Sequence, residues 1–133
     1  MNINSINVIT LAYMGDAIYE VYIRESMIKN GIIKVEELQK EVTQYVSAKG
    51  QSKTLQYLID NNILTEEEIE IVKRGRNYKR SIHPKNTDLI TYKYATGFEA
   101  LIGYLYLSKN NKRLEELLKK IEVKACTYME KTS

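Results

Sequence analysis

A chain of 133 residues has room for one domain with a packed core, and 44% hydrophobic with 28% charged residues excludes a disordered tail or a fibrous repeat. Twenty basic against seventeen acidic residues leave a formal charge of +3, too mild to announce nucleic acid by itself, so the distribution of charge has to decide. The lone Cys126 excludes an internal disulfide, no His/Cys cluster offers a zinc site, and no uncharged run is apolar enough to span a bilayer, so a cytoplasmic protein without membrane contact is expected.

With one proline, Pro84, and Glu, Lys, Leu and Ile abundant, the expected class is all-α, one domain over residues 1–133. Val8, Leu11, Ala12, Ile18, Tyr22 and Ile23 recur near helical spacing and predict a first helix from about Ser5, a candidate N-cap, to Lys29, with Gly31 as its stop. A second helix begins at Val35, and a third pattern through Lys53, Leu55, Leu58 and Ile59 ends at Asn61-Asn62. Thr65 followed by three glutamates reads as an N-cap with an acidic first turn, opening a helix with a basic last turn near Arg74, terminated with help from Gly75. Thr87 or Asp88 caps the next helix, to about Lys109, and Asn110-Asn111 separates it from an amphipathic last helix carrying Leu114, Leu117, Leu118, Ile121 and Cys126.

Charge placement in the two most apolar segments carries the functional reading. From Met1 to Tyr19 the only charged side chain is Asp16, and from Tyr94 to Leu107 the only one is Glu99. Small residues flank each acid, Ala12, Gly15 and Ala17 in one segment and Gly97, Ala100 and Gly103 in the other, so the two backbones are expected to approach closely. An acid in an apolar pattern ordinarily lies at a helix edge, solvated or paired with a distant Lys or Arg. Two acids buried in neighbouring helices, with no cation in either segment, instead call for a hard divalent ion, and Mg²⁺ is commonly held by one or two carboxylates plus water and phosphate oxygens.

The run Leu11-Ala12-Tyr13-Met14-Gly15-Asp16-Ala17-Ile18-Tyr19-Glu20 resembles the signature helix of the ribonuclease III family, and Phe98-Glu99-Ala100-Leu101-Ile102-Gly103 resembles its second catalytic segment. The resemblance implies Asp16 and Glu99 as catalytic residues and Mg²⁺ ligands, an all-helical ribonuclease III catalytic domain, a homodimer with one site for each strand of double-stranded RNA, and products with 5′-phosphate and 3′-hydroxyl ends. Two further acids usual in the family are replaced by Ala12 and Thr96, and the chain leaves no room for a double-stranded-RNA-binding domain, which fits the family's short branch. For that branch the implied task is maturing the ends of 23S ribosomal RNA precursor, with a ribosomal protein an open candidate partner.

Between Glu70 and Asp88 there is no acid, and six of the 20 lysines and arginines fall within residues 73 to 85. Lys73, Arg74, Arg76, Lys79, Arg80 and Lys85, with Tyr78 among them, are the expected RNA contacts; a solvated basic helix end explains them equally well until the acidic pair is considered. Lys49 and Lys53, one turn apart, form a weaker second patch. Most of the eleven tyrosines, Tyr13, Tyr22, Tyr104 and Tyr106 included, read as core or dimer packing. His83 as a general base and Glu20 as a water-mediated metal neighbour stay unassigned. The competing readings are a catalytically silent dimeric RNA-binding or ribosome-assembly factor and a helical protein-interaction module.

Overall fold

The computed structural model describes residues 1–79 and 88–132, with side chains described as far as Ile121. A 3₁₀ turn at Ile3–Ser5 leads into α1 (Val8–Lys29), followed by α2 (Val35–Val46), α3 (Ala48–Asp60), α4 (Glu66–Arg76), α5 (Leu89–Leu107) and α6 (Asn111–Thr132). Among the described residues there is no strand, and the expected all-α class holds.

Helix α5 is the axis of the molecule, packing against α1, α3, α4 and α6. Its sequence explains why: it is apolar nearly all round, and Ala95 to Phe98, Ala100 to Gly103 and Leu105 are all buried. The main core gathers Tyr19 and Ile23 of α1, Leu55 and Leu58 of α3, Phe98, Leu101 and Ile102 of α5, and Leu117 and Ile121 of α6. Tyr19 and Phe98 meet edge to face at 4.8 Å, fixing the angular register of α1 on α5. A second cluster, Val8, Leu11, Ala12, Ile71 and Ala100, closes the junction of α1, α4 and α5.

The local signals act mostly where the sequence puts them. Gly31 takes φ +98° just beyond α1, a backbone state that other residues adopt at a cost. Thr65 and Glu68 form a reciprocal capping box on α4, and Asp88 accepts from the Thr91 amide at 2.9 Å to open α5. Two expectations are corrected. Ser5 lies in the 3₁₀ turn, and α1 is capped by Asn7, whose side chain accepts from the Ile9 amide at 3.0 Å. Gly75 does not end α4; it is buried inside the helix, where a Cβ would stand 2.9 Å from the Gly97 Cα of α5. Close approach of two helices is what requires glycine there.

The capping glutamate also ties α4 to α6. Arg113 grips Glu68 with two bonds, Nε to Oε2 at 2.7 Å and Nη2 to Oε1 at 2.8 Å, and Nη2 reaches the Ile63 carbonyl at 2.7 Å. Burial pushes the Glu68 carboxyl up, but the Arg113 guanidinium and the Thr65 amide together outweigh it and hold the group below its usual range. A carboxyl lowered in the folded state contributes stability above its unfolded pKa of about 4.3 and loses it as pH falls through the lower folded value. Glu68→Gln is therefore expected to cost about 2 kcal/mol at pH 7, a Tm loss of several degrees, with the gap to the parent closing below pH ~4 in thermal melts.

Candidate active site

Helices α1 and α5, which carry Asp16 and Glu99, cross backbone to backbone. Gly15 and Gly103 have no side chain because there is no space for one: a Cβ on Gly15 would overlap the carbonyl oxygen of Glu99 and stand 2.8 Å from the Gly103 nitrogen, and a Cβ on Gly103 would overlap the Leu11 carbonyl. The two backbones are in direct contact, as the small residues predict. Asp16 follows Gly15, so it and Glu99 ride on adjoining stretches of backbone although they are about 80 residues apart in sequence. Gly97 does not take part, contrary to the expected grouping: it points to α4, where a Cβ would stand 2.7 Å from the Val72 carbonyl oxygen.

The expected burial of the two carboxylates is also corrected. Asp16 is exposed and Glu99 half-buried. The apolar neighbours of Asp16 misled because α1 leaves one face uncovered, with Tyr13 83%, Val21 61% and Ile28 51% exposed and Ala17 on the same side. The acids therefore need no counter-ion to be tolerated. Both side chains reach solvent, and carboxylate oxygens beside water are the donor type that suits Mg²⁺, which keeps most of its hydration shell. Ala12 and Thr96, where the resemblance implies that further acids are usual, are 4% and 5% exposed, and the Thr96 hydroxyl donates to the Tyr92 carbonyl of its own helix at 3.0 Å. Neither adds a ligand. Among the described residues no group of three or more His, Cys, Asp or Glu side chains gathers in one place. Glu20, one turn on, pairs with Arg24 at 3.3 Å.

Sequence reasoning missed Gln51. It is 1% exposed at the start of α3, and its Nε2 donates to the Asp16 carboxylate at 3.4 Å and to the Val46 carbonyl at 3.0 Å. The available signal was a polar residue in the register of Leu55 and Leu58, the buried face of α3.

The basic residues divide. Lys73, Arg74 and Arg76 form the last turn of α4, the first two exposed and Arg76 half-buried, with Lys73 3.9 Å from Glu70. Lys79 is exposed, whereas Tyr78 is half-buried against the Val8–Leu11–Ala12 cluster. Tyr78 and Lys79 join Tyr92, Lys93, Thr96, Leu89 and Gly75 around a hollow of about 260 Å³ between the end of α4 and the start of α5. Lys49 and Lys53 are exposed on α3, flanking Gln51. Arg80, His83 and Lys85 lie outside the described residues, as does the side chain of Cys126. Of the tyrosines expected in core or dimer packing, Tyr22 and Tyr104 are half-buried, but Tyr13 and Tyr106 are exposed, so core packing does not account for those two. No helix among the described residues is long and apolar enough to cross a membrane.

An all-helical domain with an Asp and a Glu at a glycine-tight helix crossing has known counterparts. Residues 9–110 match the ribonuclease III domain family. The chain is 46% identical over 118 residues to Mini-ribonuclease 3 of Streptococcus pneumoniae, covering 89% of this chain and 92% of that one. It is 49% identical over 113 residues to the Mini-ribonuclease 3 of Enterococcus faecalis, covering 85% and 86%. A crystal structure of a protein from Fusobacterium nucleatum superimposes with a TM-score of 0.78 at 35% identity, covering 91% of this chain and 94% of that one. The chain belongs to the ribonuclease III family, in its Mini-ribonuclease 3 branch, and is an endoribonuclease.

Proposed function

We propose that this endoribonuclease cuts double-stranded RNA with Mg²⁺ held by Asp16 and Glu99, maturing the ends of 23S ribosomal RNA precursor in the cytoplasm. The observation that supports the reading is the backbone contact of α1 and α5 at Gly15 and Gly103, which brings the main chain of Glu99 against the residue next to Asp16. When bound, Mg²⁺ supplies positive charge to the reacting phosphodiester and makes water a better nucleophile. Asp16 and Glu99 orient that charge. Hydrolysis breaks the bond to the 3′ oxygen, leaving 5′-phosphate and 3′-hydroxyl ends.

Duplex RNA presents two phosphate ribbons, and basic groups beside the site can hold them. Lys73, Arg74, Arg76 and Lys79 form that surface, with Lys49 and Lys53 on α3 as a second contact and Tyr78 at the edge of the hollow; Arg80 and Lys85, outside the described residues, are proposed as further RNA contacts. A homodimer would supply one site for each strand; the uncovered Tyr13, Val21 and Ile28 of α1 are the apolar surface in favour of it. A ribosomal protein that presents the RNA is a further candidate partner.

Incubating the protein with duplex RNA, with and without Mg²⁺, tests the reading. Fragments with 5′-phosphate ends that need Mg²⁺ are expected; binding with no fragments under either condition would return the chain to a silent RNA-binding role. Changing Lys73 and Arg74 together to Ala is expected to flatten the dependence of log affinity on log salt by about two units, roughly one per phosphate contact, without altering the sequence of the cut. An unchanged salt slope would mark these side chains as a solvated helix end.

A further inference from the structure

We propose that Gln51 is a positioning residue for the Asp16 carboxylate, an inference that rests on Asp16 being a metal-holding, catalytic side chain. Gln51 occupies the α3 register shared by Leu55 and Leu58, both fully buried, and is itself 1% exposed. An apolar residue would suit that position, because a buried amide is costly unless all its atoms find partners. This one does not: its Oε1 is buried with no hydrogen-bond partner among the described residues. The two groups in front of the amide, the Asp16 carboxylate and the Val46 carbonyl, are both acceptors, so Nε2 has to face them and Oε1 has to face away. The amide is retained at a cost to the core, and it donates a hydrogen bond to Asp16, 35 positions away in sequence.

The corner that carries Gln51 is rigid. The Ser47 hydroxyl caps α3 by accepting from the Gly50 amide at 3.2 Å, and the Gln51 amide donates to the Ser47 carbonyl at 2.9 Å. Gly50 is pressed on the Gln44 and Tyr45 carbonyls, with no space for a Cβ. Asp16, by contrast, is an exposed side chain on a helix surface, free to sample rotamers. One bond from a fixed, buried donor restricts that freedom and holds Oδ1, leaving Oδ2 for a ligand. Groups that orient a metal-holding carboxylate in this way typically change metal affinity or turnover by about 10–100-fold when removed.

The test uses Gln51→Leu and the equally long Gln51→Met, with Asp16→Asn as control, measured by calorimetric titration with Mg²⁺ alone, by melting without metal, by duplex RNA affinity in EDTA, and by kcat and KM. The expected result is Mg²⁺ affinity and kcat each lower by about tenfold or more in both variants, RNA affinity unchanged, and a metal-free Tm equal to the parent or higher. Unaltered Mg²⁺ affinity and kcat in variants of parental stability would overturn the proposal, and so would a lower metal-free Tm with the Mg²⁺ affinity intact, or failure of both variants to fold, since those mark a purely structural glutamine. If Asp16→Asn itself binds Mg²⁺ and cleaves like the parent, the fault lies in the assignment of Asp16 instead.

Discussion

Asp16→Asn is expected to lower the cleavage rate by at least about 10³-fold while leaving the fold intact. The change is nearly isosteric and the side chain is exposed, so Tm without metal should stay within about 2 °C of the parent. Loss of function follows from charge and from donor placement. A carboxylate presents two acceptor oxygens, one toward the Gln51 Nε2 and one outward. An amide presents one acceptor and one donor: turned one way it sets N–H against N–H at Gln51, and turned the other it aims N–H at the place of the cation. Mg²⁺ should therefore stop raising the Tm of the variant, although it raises that of the parent. Glu99→Gln is expected to act in the same direction. Cleavage at the parental rate by purified Asp16→Asn would move the chemistry elsewhere in the molecule.

The features that were legible before the structure are those decided by neighbours in sequence. Thr65 with Glu68, Asp88, Asn61-Asn62 and Gly31 sit at helix ends because their side chains or their φ answer a local need, and each is found there. The close approach of the two segments that carry Asp16 and Glu99 was legible for a different reason: one acid and a set of small residues in each of two apolar segments are rare enough to connect them. Hydropathy failed where it had to choose between two kinds of apolar surface. Tyr13 and Tyr106 read as core or dimer packing and are exposed, because an apolar face turned outward has the same composition as one turned inward. Gly75 and Gly97 looked like a helix stop and a contact to α1; they are partners of each other, which depends on how α4 lies across α5 and on nothing adjacent to either residue. The Gln51 to Asp16 bond is the extreme case. Its geometry arises from three helices, so the sequence held only a polar residue at a buried register position.

The α1–α5 contact makes the other large prediction. Gly15→Ala or Gly103→Ala introduces one methyl group on a helix, a change that in an exposed helix would stabilise by about 1 kcal/mol. Here the methyl group meets main-chain carbonyls, of Glu99 in one case and of Leu11 in the other, and no rotamer can relieve the overlap. The helices must separate. That movement loosens Tyr19 from Phe98 and opens the Val8, Leu11 and Ala100 cluster, so the expected cost is about 3 kcal/mol or more, a Tm loss near 10 °C for a chain of this size. The fraction that still folds at low temperature should also cleave poorly, by about 10²-fold, because Asp16 and Glu99 ride on the two displaced backbones and a misplacement of about 1 Å suffices for such a loss. Gly31→Ala provides the contrast: its φ of +98° makes the change costly by about 1–2 kcal/mol, but nothing lies within 4 Å of the added group and the site is untouched, so stability should fall without loss of turnover. Melting curves and single-turnover rates at low temperature for the three variants separate the effects; a Gly15→Ala protein with parental Tm and rate would show that the two helices are not held backbone to backbone in solution.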